Sequence, residues 1–231
     1  MIKMIAFDAD DTLWHNEVYY HDAQLELKNI LAEWAHADTI AEQLNEIEMR
    51  NLPLYGYGVK AFVLSMIETA FLASEGQIRG ETIERILSIG RSMLEAEIIL
   101  HPHIEETLRT LSQAYSLMVI TKGDLLDQTN KIGRSGLRDY FSLVEIVNDK
   151  NPDTYRRILT KYHLDPEKFL MVGNSLRSDI LPVLQLGGKA VHIPANTTWA
   201  HEMVQDFDKS QTGFFEITEM CQLPNLITGI S

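Results

Sequence analysis

Three carboxylates follow the first apolar run of the sequence. Residues 5–14 read IAFDADDTLW, so Asp8, Asp10 and Asp11 come directly after the apolar residues. Like charges at this spacing repel one another, and the cluster is costly unless a cation or shared protons compensate it. A carboxylate can also attack phosphorus as a nucleophile, and a neighbouring carboxyl can give and take protons. The cluster therefore indicates a ligand site more strongly than a solvated turn.

A calcium-binding loop is an alternative use of the same carboxylates. Counting from Asp8, the sixth position is Leu13 and the twelfth is Tyr19. A helix–loop–helix calcium site needs glycine and glutamate at those positions. The sequence does not fit this alternative.

Further polar side chains follow the other short apolar runs, which have the length of buried strands. The predicted strands are 2–7, 116–121, 142–147, 169–173 and 189–194. Thr121 ends the second, Lys150 follows the third, and Gly173, Asn174 and Asp179 end or follow the fourth. Ligands collect beyond the carboxyl ends of parallel strands, so these groups are expected at one edge of a sheet. Acids, a hydroxyl, a lysine and an amide suit a hard cation bound beside a phosphate.

Helical periodicity alternates with these strands. Apolar residues recur at spacings of three and four, and the predicted helices are about 104–113, 125–135, 152–163 and 176–186. Alternating strands and helices predict an α/β fold, with a doubly wound, mainly parallel, Rossmann-like sheet.

The stretch from about 17 to 98 breaks this alternation. It contains helical periods and no convincing strand, and the block NLPLYGYG at 51–58 is predicted to be a loop because it carries one proline and two glycines. We expect an all-helical insert at 16–98 and a sheet-containing core at 1–15 and 99–231.

Four segments together carry a family resemblance. In order, they are DADDTL at 8–13, Thr121 in VITKGD, Lys150 in NDKNPDTY, and GNSLRSD at 173–179. With these segments the chain resembles the haloacid dehalogenase-like hydrolase superfamily, particularly its phosphatase branch with a helical cap inserted after the first motif. The sequence departs from the family pattern at Asn174, where aspartate is more common, and around Lys150, which lies one residue nearer the second proline.

The resemblance implies a role for each matching residue. Asp8 would be the nucleophile and Asp10 the general acid and base. Thr121 and the amides of Lys122 and Gly123 would bind the phosphoryl oxygens, and Lys150 would balance the charge of Asp8 and the phosphoryl group. Because the chain leaves the strand at Asp8, alternation predicts only that Asp8 and Asp10 lie near each other.

Mg²⁺ is the metal that the resemblance implies. The family pattern assigns it the Asp8 carboxylate, the Asp10 main-chain carbonyl and one group from the fourth motif. That group is either the Asn174 amide oxygen or the Asp179 carboxylate, which could act directly or through water.

The resulting hypothesis is a magnesium-dependent phosphatase that hydrolyses a small phosphorylated metabolite through an aspartyl-phosphate, with the helical cap as a lid. One alternative is a haloacid dehalogenase that uses Asp8 on carbon, although halide displacement needs no proton donor at Asp10. Phosphonate-cleaving or phosphomutase activity also stays open. A non-catalytic phosphate-binding protein is a further alternative, motivated by the departures at Asn174 and Lys150.

Composition narrows the partners and the location. The formal net charge is −13 and the sequence shows no basic patch, which argues against nucleic acid and anionic membranes as partners. Cys221 is the only cysteine, and no secretion signal or membrane-spanning stretch is found. We expect a cytoplasmic protein that is a monomer or a homodimer.

Overall fold

The computed structural model describes residues 1–195, 199, 202, 204 and 206–230 of the 231-residue chain. Within these residues it has six strands and nine α-helices. The strands are β1 (Met4–Phe7), β2 (Ser116–Lys122), β3 (Leu143–Val147), β4 (Phe169–Gly173), β5 (Lys189–His192) and β6 (Phe214–Glu216). The helices are α1 (Glu17–Leu31), α2 (Ala37–Tyr55), α3 (Val59–Ala73), α4 (Gly80–Glu95), α5 (Ile104–Ser112), α6 (Leu125–Arg134), α7 (Pro152–Lys161), α8 (Leu181–Gln185) and α9 (Leu223–Ile230).

The strands form one parallel sheet in the order β3-β2-β1-β4-β5-β6. The predicted α/β fold is confirmed, and its five predicted strands are present. The chain turns from one side of β1 to the other between β3 and β4, which makes the carboxyl end of β1 the switch point where ligands bind in such sheets.

Both faces of the sheet are buried. Alternate residues of β1 enter two different apolar clusters, Ile5 and Phe7 on one face and Met4 and Ala6 on the other. Strands covered on both faces need apolar residues at every position, which explains the continuous runs in the sequence.

Contacts divide the chain into two compact units. Residues 1–17 and 98–231 form the sheet unit, and residues 18–97 form the helical unit. The helical unit has its own apolar core, built from α1 to α4. The assignment of these units as catalytic core and cap stays a prediction.

The prediction of a loop at 51–58 is wrong for its first five residues, which are helical. Helix α2 continues through Pro53 to Tyr55, and Gly56 then ends it with its N–H on Leu52 O at 2.9 Å. The Asn51 side chain is buried and donates to Ser65 Oγ at 3.2 Å and to Glu68 Oε2 at 2.9 Å, both on α3. These contacts hold the last turn of α2 in place although Pro53 removes one helical hydrogen bond.

Two elements were not predicted, and one helix differs from its prediction. Strand β6 has only three residues and α9 has eight, so neither gives a strong periodic signal. Residues Leu176–Ile180 form a π-helical turn before α8, within the helix predicted at 176–186. Such turns often occur at functional sites.

Candidate active site

Asp8 lies one residue beyond β1, at the switch point of the sheet. Its N–H continues the ladder to Val172 O at 2.9 Å, and its side chain is buried. Asp8 Oδ1 accepts from Lys150 Nζ at 2.5 Å, and Oδ2 accepts from the Thr12 hydroxyl at 2.7 Å. The predicted nucleophile is therefore oriented by two donors from different loops.

Lys150 links two carboxylates. Its ammonium lies 2.7 Å from Asp179 Oδ1 as well as 2.5 Å from Asp8, and only 3% of the residue is exposed. Burial alone would lower the pKa of Lys150, but the carboxylates of Asp179 and Asp8 outweigh burial and raise that pKa. Lys150 stays positively charged at neutral pH.

The local sequence places Lys150 directly before a helix. Asn151 caps α7 by accepting from Thr154 N at 3.0 Å, and Pro152 occupies the first helical position, where its missing N–H costs nothing. The departure from the family spacing thus coincides with a short loop that ends in a capped helix.

Burial raises the pKa of Asp8 from 3.8 to about 7. Lys150 opposes this shift, the negative charge of Asp179 adds to it, and the hydrogen bonds from Lys150 and Thr12 lower the pKa again. A second cation near Asp8 would further favour its charged form, which is the form that can act as a nucleophile.

Both oxygens of Asp179 accept from protein donors. Its Oδ1 accepts from Lys150, and its Oδ2 accepts from Ser175 N at 3.0 Å. The lack of a side chain at Gly173 leaves room for the Asp179 carboxylate, since a Cβ at residue 173 would lie 2.3 Å from Asp179 Oδ2.

Asn174 is linked to the second oxygen of Asp8 through Thr12. The Thr12 hydroxyl is 3.1 Å from Asn174 Oδ1 and 2.7 Å from Asp8 Oδ2, so its one proton can serve either oxygen. Asn174 N donates to Thr12 Oγ1 at 3.1 Å, which ties the two loops together. Two side-chain oxygens, from Asp8 and Asn174, thus lie beside one hydroxyl.

Asp10 faces donors from α6 and from its own loop. Trp14 Nε1 lies 2.7 Å from Oδ1, Gln128 Nε2 lies 2.8 Å from Oδ2, and Lys131 Nζ lies 3.1 and 3.2 Å from the two oxygens. Asp10 is partly exposed, and its carboxylate is compensated by Lys131.

Thr121 and Gly123 are joined to the same group of side chains. The Thr121 hydroxyl donates to Gln128 Oε1 at 3.2 Å, and a Cβ at Gly123, whose φ is +139°, would lie 3.2 Å from Gln128 Nε2. The Gly123 N–H already donates to Val147 O at 3.2 Å. Phosphate binding by this amide, which stays a prediction, would require that bond to break.

The Lys122 side chain points toward the π-helical turn. Its ammonium donates to Ser178 Oγ at 3.0 Å and pairs with Glu202. Although burial alone would raise the pKa of Glu202, Lys122 and the hydroxyls of Ser175 and Ser178 lower it to about 2.

Asp11 has a structural role at the start of α1. It adopts a left-handed backbone conformation with φ of 61°, and its carboxylate accepts from Asn16 N at 2.9 Å and Glu17 N at 3.0 Å. Burial raises the pKa of Asp11 to about 6, and burial together with the Asp11 charge raises the pKa of Glu17 to about 7.

The structure brings several of the predicted site residues together and adds partners that were not predicted. Asp8, Lys150 and Asp179 are in direct contact, and Thr12 joins Asn174 to them. Thr12, Gln128 and Lys131 were not predicted. Gln128 and Lys131 lie three residues apart on one buried face of α6, but no signal in the sequence links that face to Asp10.

No three His, Cys, Asp or Glu side chains among the described residues form a cluster that could hold a metal ion. A bound cation at this edge would therefore also need amide, main-chain, water or substrate oxygens.

Within the same part of the chain, no helix is both long and apolar enough to span a bilayer.

Comparisons with known proteins agree on one family. The sequence profile of the haloacid dehalogenase-like hydrolases matches residues 2–187. A haloacid dehalogenase-like family hydrolase from Xanthomonas campestris, of known crystal structure, is 36% identical with a TM-score of 0.89, covering 99% of this chain and 91% of that chain.

Two curated relatives are glyceraldehyde 3-phosphate phosphatases. The protein from Pyrococcus furiosus is 30% identical over 121 residues, 50% of this chain and 49% of that protein, so this chain spans about half the length of that relative. The protein from Methanothermobacter thermautotrophicus is 24% identical over 237 residues, 98% of this chain and all of that protein. The profile match and the Xanthomonas structure show that the chain belongs to the haloacid dehalogenase-like hydrolase family.

Proposed function

We propose that this chain is a magnesium-dependent phosphatase that hydrolyses small phosphomonoesters through an aspartyl-phosphate on Asp8. The observation that carries the proposal is the buried Asp8 carboxylate at the end of β1, with the Lys150 ammonium 2.5 Å away and Asp10 two residues on. A nucleophilic carboxylate, a fixed cation and a second carboxyl are the groups that phosphoryl transfer in two displacements requires.

The reaction uses these groups in sequence. An Asp8 oxygen attacks phosphorus, the bond to the ester oxygen breaks, and the leaving alkoxide takes a proton from Asp10. Water then gives a proton to Asp10 and attacks the phosphorus, and the bond between phosphorus and Asp8 breaks. Lys150 offsets negative charge on Asp8 and the phosphoryl group throughout, as a compact ammonium does well. Thr121 donates its hydroxyl to a phosphoryl oxygen once it releases Gln128.

The donor set fits Mg²⁺. Asp8 Oδ2 and Asn174 Oδ1 both lie beside the Thr12 hydroxyl, and Asn174 is partly exposed, whereas Asp179 is only 1% exposed and accepts from Lys150 and Ser175. We therefore assign the ligand role to Asp8, the Asp10 carbonyl and Asn174, with Asp179 holding Lys150. When bound, Mg²⁺ would neutralise phosphoryl oxygens and keep several waters.

The substrate class follows from the relatives. Two of them are named glyceraldehyde 3-phosphate phosphatase, which supports a small phosphorylated metabolite as the substrate of this chain. We further propose that the helical unit serves as the cap that limits substrate size. A panel of triose, sugar, nucleotide and cofactor phosphates tests the class.

The first experiment measures hydrolysis of p-nitrophenyl phosphate with Mg²⁺ and with EDTA. We expect activity that EDTA abolishes and excess Mg²⁺ restores. Asp8→Asn should lose essentially all turnover, because an amide cannot form the acyl phosphate. Undiminished turnover by Asp8→Asn would remove Asp8 from its role, and no hydrolysis of any panel member would refute the phosphatase function.

A second candidate function is hydrolysis of a carbon–halogen bond. The neutral Asn174 favours this function, because the reaction needs no metal and therefore no charged metal ligand at residue 174. Asp8 is already held by Lys150 and Thr12. Asp10 opposes it, since a departing halide needs no proton. Chloride release from a 2-chloroacid by protein kept in EDTA would favour this function over the phosphatase.

A further inference from the structure

We infer that Lys131 is a positioning residue that fixes the Asp10 carboxylate for proton transfer. The inference rests on the proposed phosphatase function, in which Asp10 is the acid and base. Lys131 comes from α6, 121 residues away from Asp10 in the sequence.

The acceptors around Lys131 match its donors. Its ammonium lies 3.1 and 3.2 Å from the two oxygens of Asp10 and 2.7 Å from Asn16 Oδ1, and only 7% of the residue is exposed. An ammonium has three N–H donors, and a buried one must be paired to be tolerated. Asp127, one turn earlier on α6, adds a second carboxylate at 3.8 Å.

Gln128 connects this pair to the predicted phosphate site. Its Nε2 donates to Asp10 Oδ2 at 2.8 Å, and its Oε1 accepts from the Thr121 hydroxyl at 3.2 Å. Turning the amide over would lose both bonds. Since Trp14 Nε1 donates to the other oxygen of Asp10 at 2.7 Å, the direction of the Asp10 carboxylate is fixed on both sides.

Removing Lys131 takes one donor from each Asp10 oxygen and leaves Asp8 and Lys150 untouched. The loss should therefore fall on proton transfer to the leaving group. A nitrophenolate departs readily without a proton, whereas a phenolate is more basic and depends more on the acid. General acid catalysis contributes about 100- to 10,000-fold, so the two leaving groups should separate clearly.

The experiment compares kcat/KM for p-nitrophenyl phosphate and phenyl phosphate in wild type, Lys131→Met, Lys131→Gln and Lys131→Arg. We expect Lys131→Met and Lys131→Gln to lose at least about tenfold more on phenyl phosphate than on p-nitrophenyl phosphate. Lys131→Arg should recover part of that difference. Arg134→Met removes an exposed cation from the same helix and should leave both values unchanged.

Asp10→Asn should show the same selective loss. Adding Lys131→Met to Asp10→Asn should then leave the ratio between the two substrates unchanged, because both substitutions remove one function. Equal losses on the two substrates in the Lys131 variants would overturn the inference and leave the phosphatase function standing.

A stability cycle tests the pair without using activity. If Lys131 and Asp10 compensate each other, the Tm loss of the double variant Lys131→Met with Asp10→Asn is smaller than the two single losses combined. Additive Tm losses would overturn the inference. A wild-type protein that hydrolyses no phosphate ester would instead overturn the proposed function.

Discussion

At the scale of single residues, the three carboxylates after β1 have three different compensations. Asp8 is paired with Lys150, Asp10 with Lys131, and Asp11 with backbone N–H groups at the start of α1. The repulsion that the sequence suggested is thus offset by two lysines from distant loops and helices.

Replacing Lys150 by methionine should be strongly destabilising. Asp8 and Asp179 would then remain buried without their shared cation, and breaking a buried pair costs about 3–5 kcal/mol. The loss of stability should be smaller at pH 5, because one of the two carboxyls can then take a proton. Urea unfolding at pH 7 and pH 5 measures both effects. Lys161→Met removes an exposed lysine of α7 that is paired with Glu145 of β3, and it should cost below about 1 kcal/mol. Equal losses for the two variants would contradict this account.

Glu17 makes stability fall as pH rises. Its pKa is raised from 4.5 to about 7, so the folded state keeps a proton between those values that the unfolded state has lost. This stabilisation is complete below pH 4.5 and disappears as the pH passes 7. Glu17→Gln should raise Tm at pH 8 by about 2–4 °C, corresponding to about 1 kcal/mol for a partly exposed group, and change little at pH 4. A Tm gain that is the same at both pH values would remove Glu17 as the cause.

At the scale of elements, the sheet was predictable and some of its surroundings were not. Buried parallel strands need continuous apolar residues, so β1, β2 and β4 were readable from the sequence, and their parallel order brought Asp8, Thr121 and Asn174 to one edge. The end of helix α2 was wrongly predicted to be a loop from residue 51, because helix propensity does not include the buried contacts of Asn51 with α3. Lys131 was missed because its pairing with Asp10 depends on how α6 packs, which spacing within one helix does not contain.

Helix packing in the helical unit depends on Gly90. A Cβ at this position of α4 would lie 2.4 Å from Val63 Cγ2 on α3, too close without a shift of the helix. Gly90→Ala should therefore lower the free energy of unfolding by about 1–3 kcal/mol, although alanine favours helix. Gly133→Ala on α6 is the matched control, since a Cβ there meets nothing within 4 Å, and it should gain about 0.5–1 kcal/mol.

The partner residue gives a second check on the same contact. Val63→Ala should recover part of the loss caused by Gly90→Ala, because it removes the methyl group that the new Cβ meets. Denaturant unfolding of the two single variants and the double variant measures this coupling. A Gly90→Ala protein as stable as the Gly133→Ala protein would show that α3 and α4 adjust freely.

At the scale of the whole molecule, the chain contains two separately built cores. The buried apolar residues of the helical unit come from α1 to α4 and cluster with one another, and those of the sheet unit form clusters on the two sheet faces.

Residues 18–97 should accordingly fold when expressed alone. Every residue of their apolar cluster lies within this range, so the isolated segment retains the contacts that stabilise its helices. We expect helical circular dichroism and a cooperative thermal transition. Leu27→Ala should destabilise the segment by about 2–5 kcal/mol, because Leu27 is fully buried in the cluster. Leu54→Ala is the matched control, since Leu54 is 74% exposed and its loss leaves no cavity. A gradual transition without cooperativity, or equal effects of the two leucine substitutions, would mean that this core depends on the sheet unit.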